Sequence, residues 1–213
     1  MAVAVLVLAQ VFGPAIAARV VKGRVGRYGT VRSVSVTAWP AIELLWRHAD
    51  EVRVRAGDLR LSSGQAVGLL EEGSGTTKVD AHAEAVEVDG VRLTDTMFTK
   101  DGSKLWTRGT MSAADVARAL PPGVQVALES SAAGQVRVRA SGGLFGVSAA
   151  IEAVAYASGG ELVASPVAFP LSALKLTLFD DSKVYIEGVH ARELSPGTRG
   201  EARYELSMWG RLR

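Results

Sequence analysis

The closing run from Glu201 to Arg213 alternates with period two. Ala202, Tyr204, Leu206, Met208 and Leu212 fall on one side, and Arg203, Glu205, Ser207, Arg211 and Arg213 on the other. Successive side chains point to opposite faces only in an extended strand, so this segment reads as a β-strand with one apolar face. At ~3.3 Å per residue it would span about 40 Å, twice the usual strand. Comparable runs fall at 31–38, 50–56, 77–88, 91–100, 104–111, 124–128, 135–140, 147–157, 161–165, 174–179 and 183–192. Two of them change phase, between Ala85 and Val86 and at Gly188, as a β-bulge would make them do, and a bulge bends a sheet. Asp89-Gly90 and Asp101-Gly102 read as hairpin turns.

Helix signals are sparse. Ser62 with Gln65 three residues on forms a capping box for a helix that Gly73 stops. Ser112 with Asp115 caps a second, Ala113 to Leu120, which Pro121-Pro122-Gly123 terminates. Trp39-Pro40 opens a short helical segment through Ile42, Leu44, Leu45 and Trp46 to His48. The expected fold is α+β: a long, strongly curved antiparallel sheet wrapped around helical elements, preceded by an apolar N-terminal helix.

That helix is the run from Met1 to Val21, followed by the basic turn Lys22 to Arg27. Ala2 to Ala18 gives roughly 26 Å of helix at 1.5 Å per residue, a little short of a ~30 Å hydrocarbon core. Ala15-Ile16-Ala17 resembles a small-x-small cleavage site, and Gly13-Pro14 interrupts a straight helix. Residues 1–29 therefore read as a signal peptide or membrane anchor with its basic flank, or else as a helix buried in the core. Residues 30–213 read as a single domain. Arg19, Lys22, Arg24 and Arg27 follow the apolar run, so the positive-inside rule would hold the body in the cytoplasm, and a basic segment upstream would reverse that orientation.

Composition narrows the chemistry. The 213 residues carry 24 Lys and Arg against 22 Asp and Glu, interspersed, with no basic block of the kind that nucleic acid selects. There is no cysteine, which excludes disulfides, thiolate metal sites and a Cys nucleophile. Hydrophobic residues make up 48% and aromatics only 6%, so the apolar surface is mainly Ala, Val and Leu. Such small residues leave room inside a curved sheet. Either the N-terminal helix and large side chains occupy that room, or it admits a ligand such as an acyl chain, whose burial yields ~0.8 kcal/mol per methylene before association costs.

Trp39, Trp46, Phe169 and Phe179 are the large side chains placed to fill or line the space. Leu144 and Phe145 sit in the Gly-rich turn Ser141 to Gly146, at the rim of the groove and available to a membrane. Arg53, Arg55, Arg137 and Arg139 occupy polar strand faces, where they are solvated or meet lipid head groups. His48, His82 and His190 have no metal-ligand spacing, and Asp180-Asp181 reads as a solvated turn. No catalytic residue, metal or cofactor is assigned.

The order and spacing of several segments resemble the actinobacterial LmeA-like phospholipid-binding family. They are Val31–Val36 through Trp39-Pro40 and Leu44–Trp46, then DEVRVRAGDL at Asp50–Leu59 and DVARALPPG at Asp115–Gly123. VRVRASGGLFGV at Val136–Val147 and LTLFDDSKVYIEGV at Leu176–Val189 complete the set. The resemblance implies a tubular lipid-binding fold similar to the TULIP class and a place in the cell envelope outside the cytoplasmic membrane. It also implies binding of phospholipid without hydrolysis, with phospholipid and a membrane surface as partners. An envelope scaffold whose groove is self-filled and whose outer face binds protein is the alternative, and a hydrolase of envelope lipid or glycan a third reading.

Overall fold

The computed structural model describes residues 2–39, 44, 48–119, 124–144, 147–167, 175–195 and 202–213. Helix α1 is Ala2–Val25; its side chains are described from Gly13 onward. Then follow β1 (Gly29–Thr37), β2 (Ala49–Leu61), α2 (Ser63–Glu72), β3 (Thr76–Val88), β4 (Val91–Asp101), β5 (Lys104–Ser112) and α3 (Ala113–Ala119). The chain continues as β6 (Val124–Ala132), β7 (Gln135–Leu144), β8 (Val147–Ser158), β9 (Glu161–Pro166), β10 (Leu176–Phe179), β11 (Val184–Ser195) and β12 (Arg203–Leu212). Among the described residues, no helix is long and apolar enough to cross a membrane.

The alternating segments become strands, in two open sheets rather than the one expected. The chain divides into two compact units, Met1–Asp89 with Asp95–Ser103, and Gly90–Thr94 with Lys104–Arg213. In the first the hydrogen-bonded order is β1-β2-β3-β4. In the second, the order is β5-β12-β11, and β10-β9-β8-β7-β6 makes a separate sheet. The separation follows from the α3 connection, after which the chain starts new hairpins and returns to β5 only with β12.

A second correction concerns strand direction. β1–β2, β5–β12, β11–β12 and every pair of the five-stranded sheet are antiparallel, but β2 and β3 run parallel. Parallel neighbours need a crossover connection, and α2 supplies it. β3 also passes through Ala85 and Val86 in unbroken register with β2, so no bulge disturbs that pairing. The bulge at Gly188 is present, between Ile186 and Gly188 against β12. Only glycine fits there, because an added Cβ would lie 2.3 Å from Cζ2 of Trp209.

Local signals act as the sequence predicts. Ser62 Oγ accepts from the Gln65 amide at 3.2 Å while Gln65 Oε1 accepts from the Ser62 amide at 2.8 Å, closing the capping box of α2. Ser62→Ala is expected to lower unfolding free energy by about 1 kcal/mol, read as a fall in urea midpoint at constant slope. Asp89 and Gly90 both take positive φ, 48° and 84°, as the tight hairpin into β4 requires. At α3, burial raises the Asp115 carboxyl pKa, but hydrogen bonds from Ser112 and the charge of Arg118 outweigh it and hold it below the usual carboxylate value.

The first unit's core is made of small side chains. Val36, Ala49, Val52 and Val54 are buried on one face of β1 and β2, with Val34, Val79 and Ala81 beside them. Onto this face α1 lays Ala17, Ala18, Val21 and Val25, a helical stripe facing the sheet. Arg24 then pairs with Glu72 of α2 at 2.8 Å. The opposite face is charged: Glu51 lies 2.9 Å from Arg53, and Arg32 pairs with Glu84.

Candidate functional site

The five-stranded sheet of the second unit has one apolar and one charged face, and register fixes which residue belongs to each. Val126 pairs with Ala140, and Ala140 with Ile151. Leu128, Val138, Ala153 and Pro166 form the next row across β6 to β9. Val136, Ala155, Ala164 and Leu176 form a third, reaching β10. Directly paired residues share a face, so these rows make one apolar surface.

β11 covers part of it. Val189 and Ala191 pack with Val136, and Leu128, Val138, Ala155, Leu162 and Leu206 close around them. Backbone bonds hold the hairpin turns against β11: Val189 N donates to Gly134 O at 3.3 Å and Ile186 N to Gly160 O at 2.9 Å. Ser131 Oγ accepts from the Ala191 amide at 3.0 Å and meets His190 Nδ1 at 2.8 Å. Tyr204, half-buried on the inner side of β12, has its phenol pKa raised by burial.

Away from those turns the apolar surface opens. Val126, Ala140, Ala153, Ala164 and Pro166 are half-buried, Ile151 is 37% exposed and Leu176 at the β10 edge 65% exposed. With strands ~4.8 Å apart, the row of Val126, Ala140 and Ile151 crosses three strands and the row ending at Ala153 and Pro166 four, a strip about 10 to 14 Å wide that suits part of an extended acyl chain. Every side chain of this open margin is aliphatic. It therefore suits holding an apolar ligand by burial, which needs shape and area rather than directed bonds.

The other face of the same sheet carries Arg137 and Arg139. Arg139 reaches Glu129 at 2.6 Å and Glu152 at 3.3 Å, and Arg137 reaches Glu152 at 3.6 Å. Arg53 and Arg55 lie in the first unit, on the charged face of β2, with Arg53 held by Glu51. These four arginines thus occupy two separate polar surfaces. Trp39 is 74% exposed, its amide donating to Asp50 at 2.7 Å. Phe179 is half-buried at the end of β10, opposite Leu162. Leu144 ends β7 opposite Val147, its side chain outside the described residues, as are Trp46, Phe145 and Phe169 altogether.

His82 is bonded to Asp95 at 2.8 Å and His48 is exposed. Asp181 accepts the Lys183 amide at 2.8 Å, a turn contact. Among the described residues no group of three or more His, Asp and Glu is placed to hold a metal. The open margin itself, Val126, Ala140, Ile151 and Ala153, is absent from the set of large residues picked out in the sequence. Its only signal there is the apolar side of the alternation in 124–157.

An open, aliphatic sheet face with its polar groups turned away is chemically suited to an apolar ligand. The chain belongs to the LmeA-like phospholipid-binding family, whose model matches residues 3–204 of 213. No curated protein and no solved structure matches it significantly.

Proposed function

We propose that this chain is a non-catalytic phospholipid-binding protein of the cell envelope. It holds acyl chains against the apolar margin of the five-stranded sheet and serves lipid transport, presentation or envelope maintenance. The observation that carries this reading is the half-open aliphatic surface of Val126, Ala140, Ile151, Ala153 and Leu176 in a chain of a phospholipid-binding family. Phe179 stands at one edge of that surface, and Leu144, Phe145 and Phe169 are proposed as further lining. The protein works on the outer side of the cytoplasmic membrane, anchored or exported through α1, with a membrane surface as its second partner. Each methylene withdrawn from water contributes ~0.8 kcal/mol, which supports retention of one lipid without a catalytic group.

The first unit favours a different occupant. Ala17, Ala18, Val21 and Val25 of α1 cover its apolar face, as a scaffold with a self-filled groove would require. Mass spectrometry of lipid extracted from the purified full chain separates the two readings. About one phospholipid per chain is expected. Folded protein that carries no lipid and takes up none from vesicles would sink the lipid-holding role and leave the scaffold.

A further inference from the structure

The outer face of β5, β12 and β11 is not used by the lipid-holding margin. Its residues stand in registered rows. Lys104, Arg211 and Tyr185 form one, Trp106, Trp209 and Gly188 the next, and Arg108, Ser207 and His190 a third. Trp106 is 60% exposed, and its ring centroid lies 6.4 Å from that of Trp209. Trp209 is held flat by Gly188, where no side chain intervenes. Arg211 and Arg213 both stack on Tyr185, at 4.7 Å and 5.1 Å from its centroid.

Charge decides what covers this face. Lys104, Arg108, Arg192 and Arg211 share it with two carboxylates: Glu205 serves both Arg192 at 3.1 Å and Arg108 at 4.0 Å, and Glu187 lies 3.6 Å from Arg211, so these four cations outnumber the two acids. Tryptophan and tyrosine favour the level of lipid head groups, where one end of the ring is apolar and the other wet. Lysine and arginine beside them are drawn to anionic phosphates. We infer that the Trp106–Trp209 platform with Lys104 and Arg211 docks the protein on an anionic lipid bilayer. The docking face is separate from the surface that holds an acyl chain, and the two roles stand or fall independently.

The test is co-sedimentation of the full chain with vesicles of phosphatidylglycerol and phosphatidylcholine in equal parts, and with phosphatidylcholine alone. Trp106→Ala is expected to weaken partition to the anionic vesicles about tenfold, since an exposed ring leaves the fold intact when removed. Lys104→Gln with Arg211→Gln is expected to weaken it about fivefold per cation, an effect that added salt erases. Arg32→Gln with Arg60→Gln, two exposed arginines of the first unit, makes the same change in net charge elsewhere and is expected to leave partition nearly unchanged. Equal losses for the two double variants, unchanged partition of Trp106→Ala, or equal binding to neutral vesicles would overturn the docking face. Lipid extracted from the same preparations reports on the holding surface separately.

Discussion

Lys100→Ala is expected to lower the free energy of unfolding by about 3 kcal/mol. Lys100 lies near the end of β4 and is only 2% exposed. Its ammonium donates to the carbonyl of Thr76 and, at 3.4 Å, to that of Ser74. Those carbonyls sit where the chain leaves α2 and enters β3, so the lysine ties the parallel crossover to its neighbouring strand. Truncation removes both bonds and opens a cavity the size of the stem. Lys100→Met keeps most of the volume and should cost clearly less. A urea midpoint for Lys100→Ala within experimental error of the parent would show that the crossover does not depend on this side chain.

Burial also lowers the pKa of Lys100, and the charge of Asp101 only partly opposes the shift. The sign of the pH effect follows. Between the lowered folded value and the ordinary lysine value the unfolded chain binds more protons, so stability rises with pH across that window. Below it both states are protonated and the dependence vanishes. Lys100→Met should flatten this alkaline slope while leaving the rest of the pH profile in place.

Lys100 also shows why part of the fold was hidden in the sequence. Thr99-Lys100-Asp101-Gly102 reads as a polar hairpin end, and nothing local says that carbonyls from a distant turn will enclose the ammonium. The strands themselves were legible, because period-two alternation is a local property and Asp-Gly marks a turn by its backbone demands. Strand direction was not: alternation in β2 and β3 is the same for either direction, and only the helix between them, residues 63–72, pointed to a crossover. A helix buried in the core is one reading of α1, but which of its faces docks was hidden for the opposite reason. A run that is apolar all round does not announce that Ala17, Ala18, Val21 and Val25 form its sheet-facing stripe. The holding surface was obscured in the same way, since it is made of small and medium aliphatic residues scattered over β6 to β10 rather than of conspicuous aromatics.

That composition makes its failure easy to provoke. Ile151→Glu is expected to reduce phospholipid recovered with the purified chain at least tenfold, with far-UV circular dichroism unchanged. Ile151 is 37% exposed in the row with Val126 and Ala140, so a carboxylate is tolerated by the empty surface, where water still reaches it. An acyl chain laid across the row would strip that water and leave an ion against methylenes, a cost of several kcal/mol that burial of a few CH₂ groups does not offset. On the opposite face Arg137→Gln removes a charge paired with Glu152 at 3.6 Å and is expected to leave lipid content as it was. Full lipid content in Ile151→Glu would move the acyl chain off this margin. Loss in both variants alike would mean that lipid follows the sheet's overall charge or stability rather than its apolar face.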